Sequence, residues 1–308
     1  MPVTCRFCGS NQLIDLGPCA PVVKCQINLS FSDQNPGRLY RCTRCHFGQR
    51  SPHLEDTVLA AAYRATSAEE MDYSLVENAA WRLGRSFLTF EGNEVRHICD
   101  VGCHAGAFLN RLPSRWKRFG IESAVEPRRH ASEIHGVTLI GERIEAVPCR
   151  WQHAFDAVTM FDVFEHLVHP FEQLAQVATW LRPGGRLLLS TGDMDAWSWR
   201  LAGGNYWYLQ TLLHLSFGSR SFFQQIHRLL PLRLVAMYRI PHQDASPQVK
   251  LDQLFEFGYW ECRQRGGFYR LPQRLIQSLP RYRGLMHRQG PPWTMAMKDH
   301  VLVIFESF

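Results

Sequence analysis

From Val95 onward, short apolar runs alternate with stretches of helical periodicity. Five strand candidates follow one another: His97–Val101, Arg118–Ile121, Thr138–Ile140, Phe155–Phe161 and Arg186–Ser190. Between them Ala107–Leu112, Ala124–His135 and Pro170–Leu181 read as helices, the last stopped by Pro183-Gly184-Gly185. Strands alternating with helices in this way predict βαβ units on a parallel sheet, an α/β fold. A sixth strand fits Leu232–Ile240 and a seventh His300–Phe305. The stretch 241–298 between these two is too long for a hairpin loop and predicts an inserted, partly helical subdomain. Upstream, Asp56 to about Leu88 carries an apolar stripe at Leu59, Tyr63, Leu75, Ala79 and Leu83, spaced for a helix. The expected organisation is a small module at 1–52, a helical linker at 53–92 and one large domain at 93–308.

Residues 1–52 differ in kind. They are rich in turn formers (Gly9, Gly17, Pro18, Pro21, Pro36, Gly37) and hold two C-x-x-C pairs, Cys5/Cys8 and Cys42/Cys45. Each pair presents two thiolates to one tetrahedral ion, so the four predict a closed structural Zn2+ site with no position left for water. The long gap leaves Cys19 and Cys25 as competing ligands. A dithiol redox role fits less well, because neither pair sits at a strand-to-helix turn of a βαβ unit.

Composition narrows the picture only a little. The chain has 308 residues, 45% hydrophobic and 20% charged, which is ordinary for a globular protein. Its ten cysteines do not mark a disulfide scaffold, since such scaffolds are short secreted domains. No apolar run approaches the ~18 residues of a membrane span, and the N-terminus lacks the basic start and apolar stretch of a secretory signal. A cytoplasmic protein without membrane contact is the expectation. The formal charge of +6 is mild, but Arg263, Arg265, Arg270, Arg274, Arg281, Arg283, Arg288 and Lys298 follow one another with no acidic residue among them. A solvated basic face is the simpler reading, and contact with an anionic substrate the more specific one. There is no internal repeat, low-complexity tract or recognisable RNA-binding module.

The densest chemistry begins at His97-Ile-Cys-Asp-Val-Gly-Cys-His-Ala-Gly-Ala-Phe108, an apolar strand that runs into Gly102 and Gly106 and then a helix. Glycines there allow a ligand close to the backbone. About twenty residues on, Glu122 ends the second strand, the place from which a carboxylate reaches both ribose hydroxyls.

These blocks resemble the class I S-adenosylmethionine-dependent methyltransferases. Asp100-Val-Gly-Cys-His-Ala-Gly106 is similar to the family's glycine loop, Phe155 to Leu167 to its fourth-strand block, and Leu181 to Ser190 to its fifth-strand block. His104 departs from the pattern, standing where the family usually has its middle glycine. The resemblance implies a Rossmann-like seven-stranded sheet with S-adenosylmethionine as cofactor. It implies that Gly102, His104 and Gly106 lie at the cofactor's amino-acid end, that Asp100 orients the loop and the ammonium, and that Glu122 holds the ribose. Arg143 and Ile144 would border the adenine, and Phe161 is a further cofactor-binding candidate.

An acceptor hydroxyl or acidic carbon needs a base. If a helix begins just after the fourth strand, Asp162 and His166 lie one turn apart, as do Glu165 and His169. A carboxylate beside a histidine fixes its tautomer and suits it to proton transfer near neutral pH. His166 is the first candidate base, with Asp162 its partner; the same residues also suit a helix cap. Farther on, Asn205 to Arg220 resembles the segment of small-molecule members that carries an aromatic cluster and a histidine. Tyr206, Trp207, Tyr208 and His214 are therefore candidates for the acceptor pocket, although such aromatics also serve packing; His169 is a further candidate there, and His214 is also a second candidate base.

A zinc-knuckle head before a methyltransferase resembles bacterial enzymes that modify sugars, sugar nucleotides and secondary metabolites. The expected activity is O- or C-methylation of a small-molecule acceptor. An RNA methyltransferase and a non-catalytic zinc-bearing scaffold of the same fold stay open. Nucleic acid is not the expected partner, and the sequence leaves the oligomeric state undetermined.

Overall fold

A computed structural model of the chain describes residues 3–21, 35–64, 76–90 and 94–308. Cys25, Leu75 and the centre of the expected linker helix lie outside the described residues.

The N-terminal segment forms β1 (Leu13–Pro18), β2 (Arg38–Cys42) and β3 (Gly48–Ser51), an antiparallel meander. The main sheet then takes β4 (Arg96–Val101), β5 (Trp116–Ile121), β6 (Thr138–Gly141), β7 (Phe155–Phe161) and β8 (Leu181–Gly192) in parallel. A short β9 (Ser216–Phe217) leaves this sheet to pair with β3. β10 (Leu232–Ile240) and β11 (His300–Ser307) close the main sheet, β11 running antiparallel to both β8 and β10. The order is β10-β11-β8-β7-β4-β5-β6, seven strands, as the Rossmann-like expectation requires. The chain's direction of travel across the sheet reverses at β4, and a ligand crevice is expected beyond the carboxyl ends of the strands at such a point.

Each expected strand is present, because runs such as Phe155–Met160 and His300–Phe305 are buried along their whole length, as central strands covered on both faces must be. The Pro-Gly-Gly turn differs from expectation. The helix ends at Trp180 and β8 begins at once at Leu181. Pro183-Gly184-Gly185 is looped out inside the strand, so that Phe155 pairs with Leu181 while Ala157 pairs with Arg186. Gly184 sits at φ +75°, and a Cβ on Gly185 would stand 2.9 Å from the Arg182 carbonyl oxygen. Only glycine fits that bulge.

The N-terminal segment also departs from a free-standing knuckle. Phe7 and Phe47 pack with Phe164 and Phe222 in one core that reaches the strands of the main sheet. The insertion is helical, with helices Pro247–Arg265 and Arg270–Ser278 followed by a 3-10 segment Pro280–His287. Ser246 caps the first through Val249, and Pro247 opens it where no N–H is needed. Four of the clustered basic residues are spent internally: Arg265 pairs with Glu261, Arg281 with Asp252 and Arg288 with Glu256, and Arg263 donates to the Arg288 carbonyl. Their acids stand on the long insertion helix, so the run of like charge in sequence is not one in space. Among the described residues no helix is long and apolar enough to cross a membrane.

Candidate functional site

The crevice opens where β4 ends. Gly102 and Cys103 both donate their N–H to the Ile121 carbonyl, at 2.8 and 3.1 Å, which locks the loop to the end of β5. Gly102 has φ +68°, and a Cβ there would come within 2.7 Å of Val163 Cγ2. The next residues turn at His104, φ +46°, the left-handed region in which a glycine costs least. Glu122 is buried, accepting from the His104 N–H at 2.8 Å and the Ala124 N–H at 2.7 Å. Burial raises its pKa, against the pull of those backbone donors. Behind it Asp100 accepts from the Thr159 hydroxyl at 2.6 Å, and burial, aided by the Glu122 charge, pushes its carboxyl up to about 7.

Two cavities flank this loop. The first, about 340 Å³, is lined by Gly102, His104, Glu122, Arg143, Ile144 and Phe161, and on its far wall by Tyr63, Asp162, His166 and His169. The second, about 450 Å³, has Asp100, Cys103 and His242 on its walls and shares Gly102, His104, Phe161 and Asp162 with the first. The expected cofactor residues thus come together with one exception. Gly106 lines neither cavity; at φ +78° it starts the helix Ala107–Asn110 and packs beside Val137 and Ala131.

The expected helix after β7 is a single 3-10 turn, Phe164–His166. Asp162 enters it at φ +55° and swings away from His166, its Oδ1 accepting from Ser190 at 3.2 Å and its Oδ2 lying 3.8 Å from His242 Nδ1. One turn of this tighter geometry does not stack residues four apart, so the expected Asp162–His166 and Glu165–His169 pairs do not form. Glu165 points inward and accepts from Thr191 at 2.8 Å and Tyr208 at 2.6 Å, while His169 lies 3.5 Å from Asp56.

His166 is engaged instead by a residue read from the sequence as mere packing. The Tyr63 hydroxyl lies 2.7 Å from His166 Nδ1, and the Leu213 carbonyl lies 3.2 Å from the same nitrogen and 3.4 Å from the hydroxyl. A carbonyl only accepts, so the assignment that satisfies all three contacts puts the proton on Nδ1, lets Tyr63 donate to Leu213, and leaves Nε2 bare. His214 sits behind, its ring centroid 4.9 Å from that of His166, and lines neither cavity. Its Nδ1 donates to the Tyr208 carbonyl at 2.7 Å, and burial holds its pKa well below the ordinary histidine value.

The aromatics expected at the acceptor also line neither cavity. Tyr206, Trp207 and Tyr208 are buried and hold carboxylates: Tyr206 donates to Asp299, Trp207 Nε1 donates to the same oxygen at 3.0 Å, and Tyr208 donates to Glu165. Their polar tips are spent inside, as buried tyrosines and tryptophans require. No residue of 247–298 lines either cavity, so the basic insertion stands away from the crevice.

The four expected thiols meet. Cys5 and Cys45 Sγ lie 3.6 Å apart, Cys8 and Cys42 Sγ 3.7 Å, and all four lie within 4.8 Å of one another. A tetrahedron with metal–sulfur bonds of about 2.3 Å has edges of about 3.8 Å, so the spacing fits zinc. Cys19 is buried outside this group. The module reaches the histidines through two arginines, Arg50 buried and Arg6 half-buried. Arg50 donates to the carbonyls of Leu209 and Thr211 at 2.8 Å and of His214 at 3.0 Å. Arg6 donates to the carbonyls of Val168 at 3.0 Å and Leu215. Burial lowers both guanidinium pKa values, Arg6 to about 10.

Comparison with known proteins agrees with this architecture. Over residues 73–237 the chain matches a family model described as a methyltransferase domain. It is 30% identical over 128 residues to a ubiquinone biosynthesis O-methyltransferase of Pectobacterium atrosepticum, covering 39% of this chain and 53% of that protein. It is 31% identical over 119 residues to a tRNA U34 carboxymethyltransferase of Pseudoalteromonas translucida, covering 36% of each. The chain thus spans about half the length of the first of these relatives, and less of the second. In structure it resembles a chain of the complex between the Haloferax volcanii Trm112 methyltransferase activator and a methyltransferase. That match has a TM-score of 0.52 at 14% identity over 81% of this chain and 97% of the other, a likeness of fold. The family match takes in more than half of the 308 residues, and the chain belongs to the methyltransferase domain family, of the class I S-adenosylmethionine-dependent type.

Proposed function

We propose that this protein methylates a hydroxyl of a small-molecule acceptor, with His166 as the base. The observation that carries the reading is the Tyr63–His166 pair on the wall of the same cavity that Gly102, His104 and Glu122 line from the other side. S-adenosylmethionine would supply the methyl group as an electrophile already activated by its sulfonium. Gly102 lets the backbone approach it, Glu122 has lone pairs to spare for the ribose hydroxyls, and Arg143 and Ile144 border the adenine. Tyr63 and Leu213 hold the His166 ring so that its bare Nε2 can take the acceptor's proton as the oxygen attacks. Such a positioned base contributes about 10²–10⁴ in rate, and alignment of acceptor, methyl carbon and sulfur supplies more. His214 serves as support for His166 rather than as a second base.

The four thiols fit one structural zinc ion, whose role is to hold the module that carries Arg6 and Arg50. The module, linker and main domain keep the expected boundaries in this reading, and a cytoplasmic location belongs to it as well.

RNA methylation is the second reading, favoured by the name of the tRNA-modifying relative. Against it stands the position of the basic insertion, half of whose clustered charges are internally engaged and none of which lines either cavity at the crevice. One experiment separates the two. S-adenosylhomocysteine formation is measured with a macromolecule-free metabolite extract and, separately, with bulk RNA. Product with the extract, reduced about 10²-fold or more in His166→Asn, supports the first reading. Product with RNA alone, or an undiminished rate in the variant, contradicts it, and turnover with either substrate excludes a non-catalytic scaffold.

A further inference from the structure

We propose that Asp162, His242 and His300 form a binding site for a divalent transition-metal cation on the acceptor side of the crevice. This site rests on the methyl-transfer reading for its purpose, but not for its geometry.

The three residues come from separate segments: the end of β7, the residues after β10 and the start of β11. One donor atom from each lies within 4.8 Å of the others. Asp162 Oδ2 and His242 Nδ1 stand 3.8 Å apart, beyond a hydrogen bond. Ligands about 2.1 Å from a shared tetrahedral ion would be about 3.4 Å apart, so a small closure brings this pair to ligating distance. The His242 and His300 ring centroids are 4.7 Å apart.

His300 carries the strongest sign. It is 2% exposed, and its Nδ1 lies 2.9 Å from Asp299 Oδ1. Asp299 is itself fixed by Tyr206 and Trp207 through its other oxygen. That carboxylate holds the proton on Nδ1 and leaves the lone pair on Nε2, a buried atom with no hydrogen-bond partner among the described residues. A carboxylate behind an imidazole whose second nitrogen is bare is the usual support of a metal-ligating histidine. An unpaired buried nitrogen is otherwise a cost without a return.

The backbone agrees. Asp162 adopts φ +55°, an uncommon conformation for a residue other than glycine, of the kind functional sites retain. It turns one oxygen to Ser190 and leaves the other toward His242.

Two imidazoles and one carboxylate suit Mn2+, Fe2+, Co2+ or Zn2+ rather than Mg2+, and they leave coordination positions open. Asp162 lines both cavities and His242 the second, so those positions face the space where an acceptor would lie. A cation here acts as a Lewis acid: it lowers the pKa of an acceptor hydroxyl, whose proton passes to His166. The oxygen then takes the methyl carbon. An O–C bond forms as the S–C bond breaks, its electron pair stays on sulfur, and S-adenosylhomocysteine leaves.

Mn2+ alone is the probe, because thiolates disfavour it and the four-cysteine site will not compete. Titration of the full chain, followed by loss of the free Mn2+ electron paramagnetic resonance signal, should show one saturable site per chain. His242→Ala and His242→Gln should each weaken it at least tenfold while binding S-adenosylhomocysteine as the parent does, which shows that they are folded. The absence of saturable Mn2+ binding in the parent, or undiminished binding in either variant, overturns the proposal. If Mn2+ binds and S-adenosylhomocysteine does not, it is the methyl-transfer reading that fails.

Discussion

The backbone N–H of His104 donates to Glu122 Oε2 at 2.8 Å. This bond ties the turn after β4 to the carboxylate at the end of β5, two features eighteen residues apart. The Ala124 N–H holds the other oxygen at 2.7 Å, so the carboxylate is oriented before any ligand arrives. A preoriented acceptor loses little entropy on binding, which is where such a cradle gains affinity.

His104 occupies a left-handed turn, φ +46°, at a cost of about 1 kcal/mol relative to glycine. His104→Gly should therefore stabilise the fold by about 1 kcal/mol, raising the melting temperature by about 2–4 °C. Thermal denaturation checks it. A fall in melting temperature would mean that the imidazole's own contacts outweigh the backbone strain.

Asp100 gives a pH dependence. Its folded pKa is raised to about 7 by burial, above the ordinary carboxylate value of 3.8, so between those limits the folded chain holds a proton that the unfolded chain lacks. Its contribution to stability therefore declines as pH rises through that window and is level above it. The cofactor's ammonium favours the ionised form. S-adenosylhomocysteine affinity should then rise with pH, approaching tenfold per unit below about 7, and flatten above, with one proton released on binding at pH 6. Calorimetry in two buffers of different ionisation enthalpy measures both. Affinity independent of pH, with no proton release, would remove Asp100 from ammonium binding.

The four-cysteine module acts at a distance through Arg50, whose guanidinium serves three carbonyls of the His214 loop. Removing the charge leaves those carbonyls buried and unpaired, a loss of about 3–5 kcal/mol. Arg50→Met should show it in urea denaturation, and stripping zinc with a chelator should lower both the melting temperature and turnover. Metal analysis should first find about one zinc per chain bound by the thiols. A zinc-free protein with unchanged stability and turnover would contradict the assignment.

How far the sequence carried depends on how local each feature is. The central strands were legible because runs such as β7 and β11 are buried almost throughout, and Gly102, Glu122 and Ile144 because they follow strand ends at short fixed spacings. The four cysteines were legible as two local pairs. Tyr63, His242 and His300 were not, since they come from three distant segments and nothing in their neighbours marks them. Tyr63 sat in an apolar stripe, and His300 opened a buried strand. The Asp162–His166 pair was misplaced because an α-helix was assumed where a 3-10 turn forms. The aromatics at 206–208, candidates for the acceptor pocket with packing as the alternative, are packed inside, where their hydroxyls and indole serve Asp299 and Glu165. The basic run in the insertion concealed its partners one helix earlier.

In the proposed function, the turn at 102–104 and Glu122 cradle the adenosyl group. Calorimetric titration of S-adenosylhomocysteine into the parent and into Glu122→Ala tests it most directly. Loss of two charge-assisted hydrogen bonds at about 1.5–3 kcal/mol each predicts affinity lowered at least ~100-fold. Affinity equal to that of the parent, in a variant of unchanged melting temperature, would contradict the account.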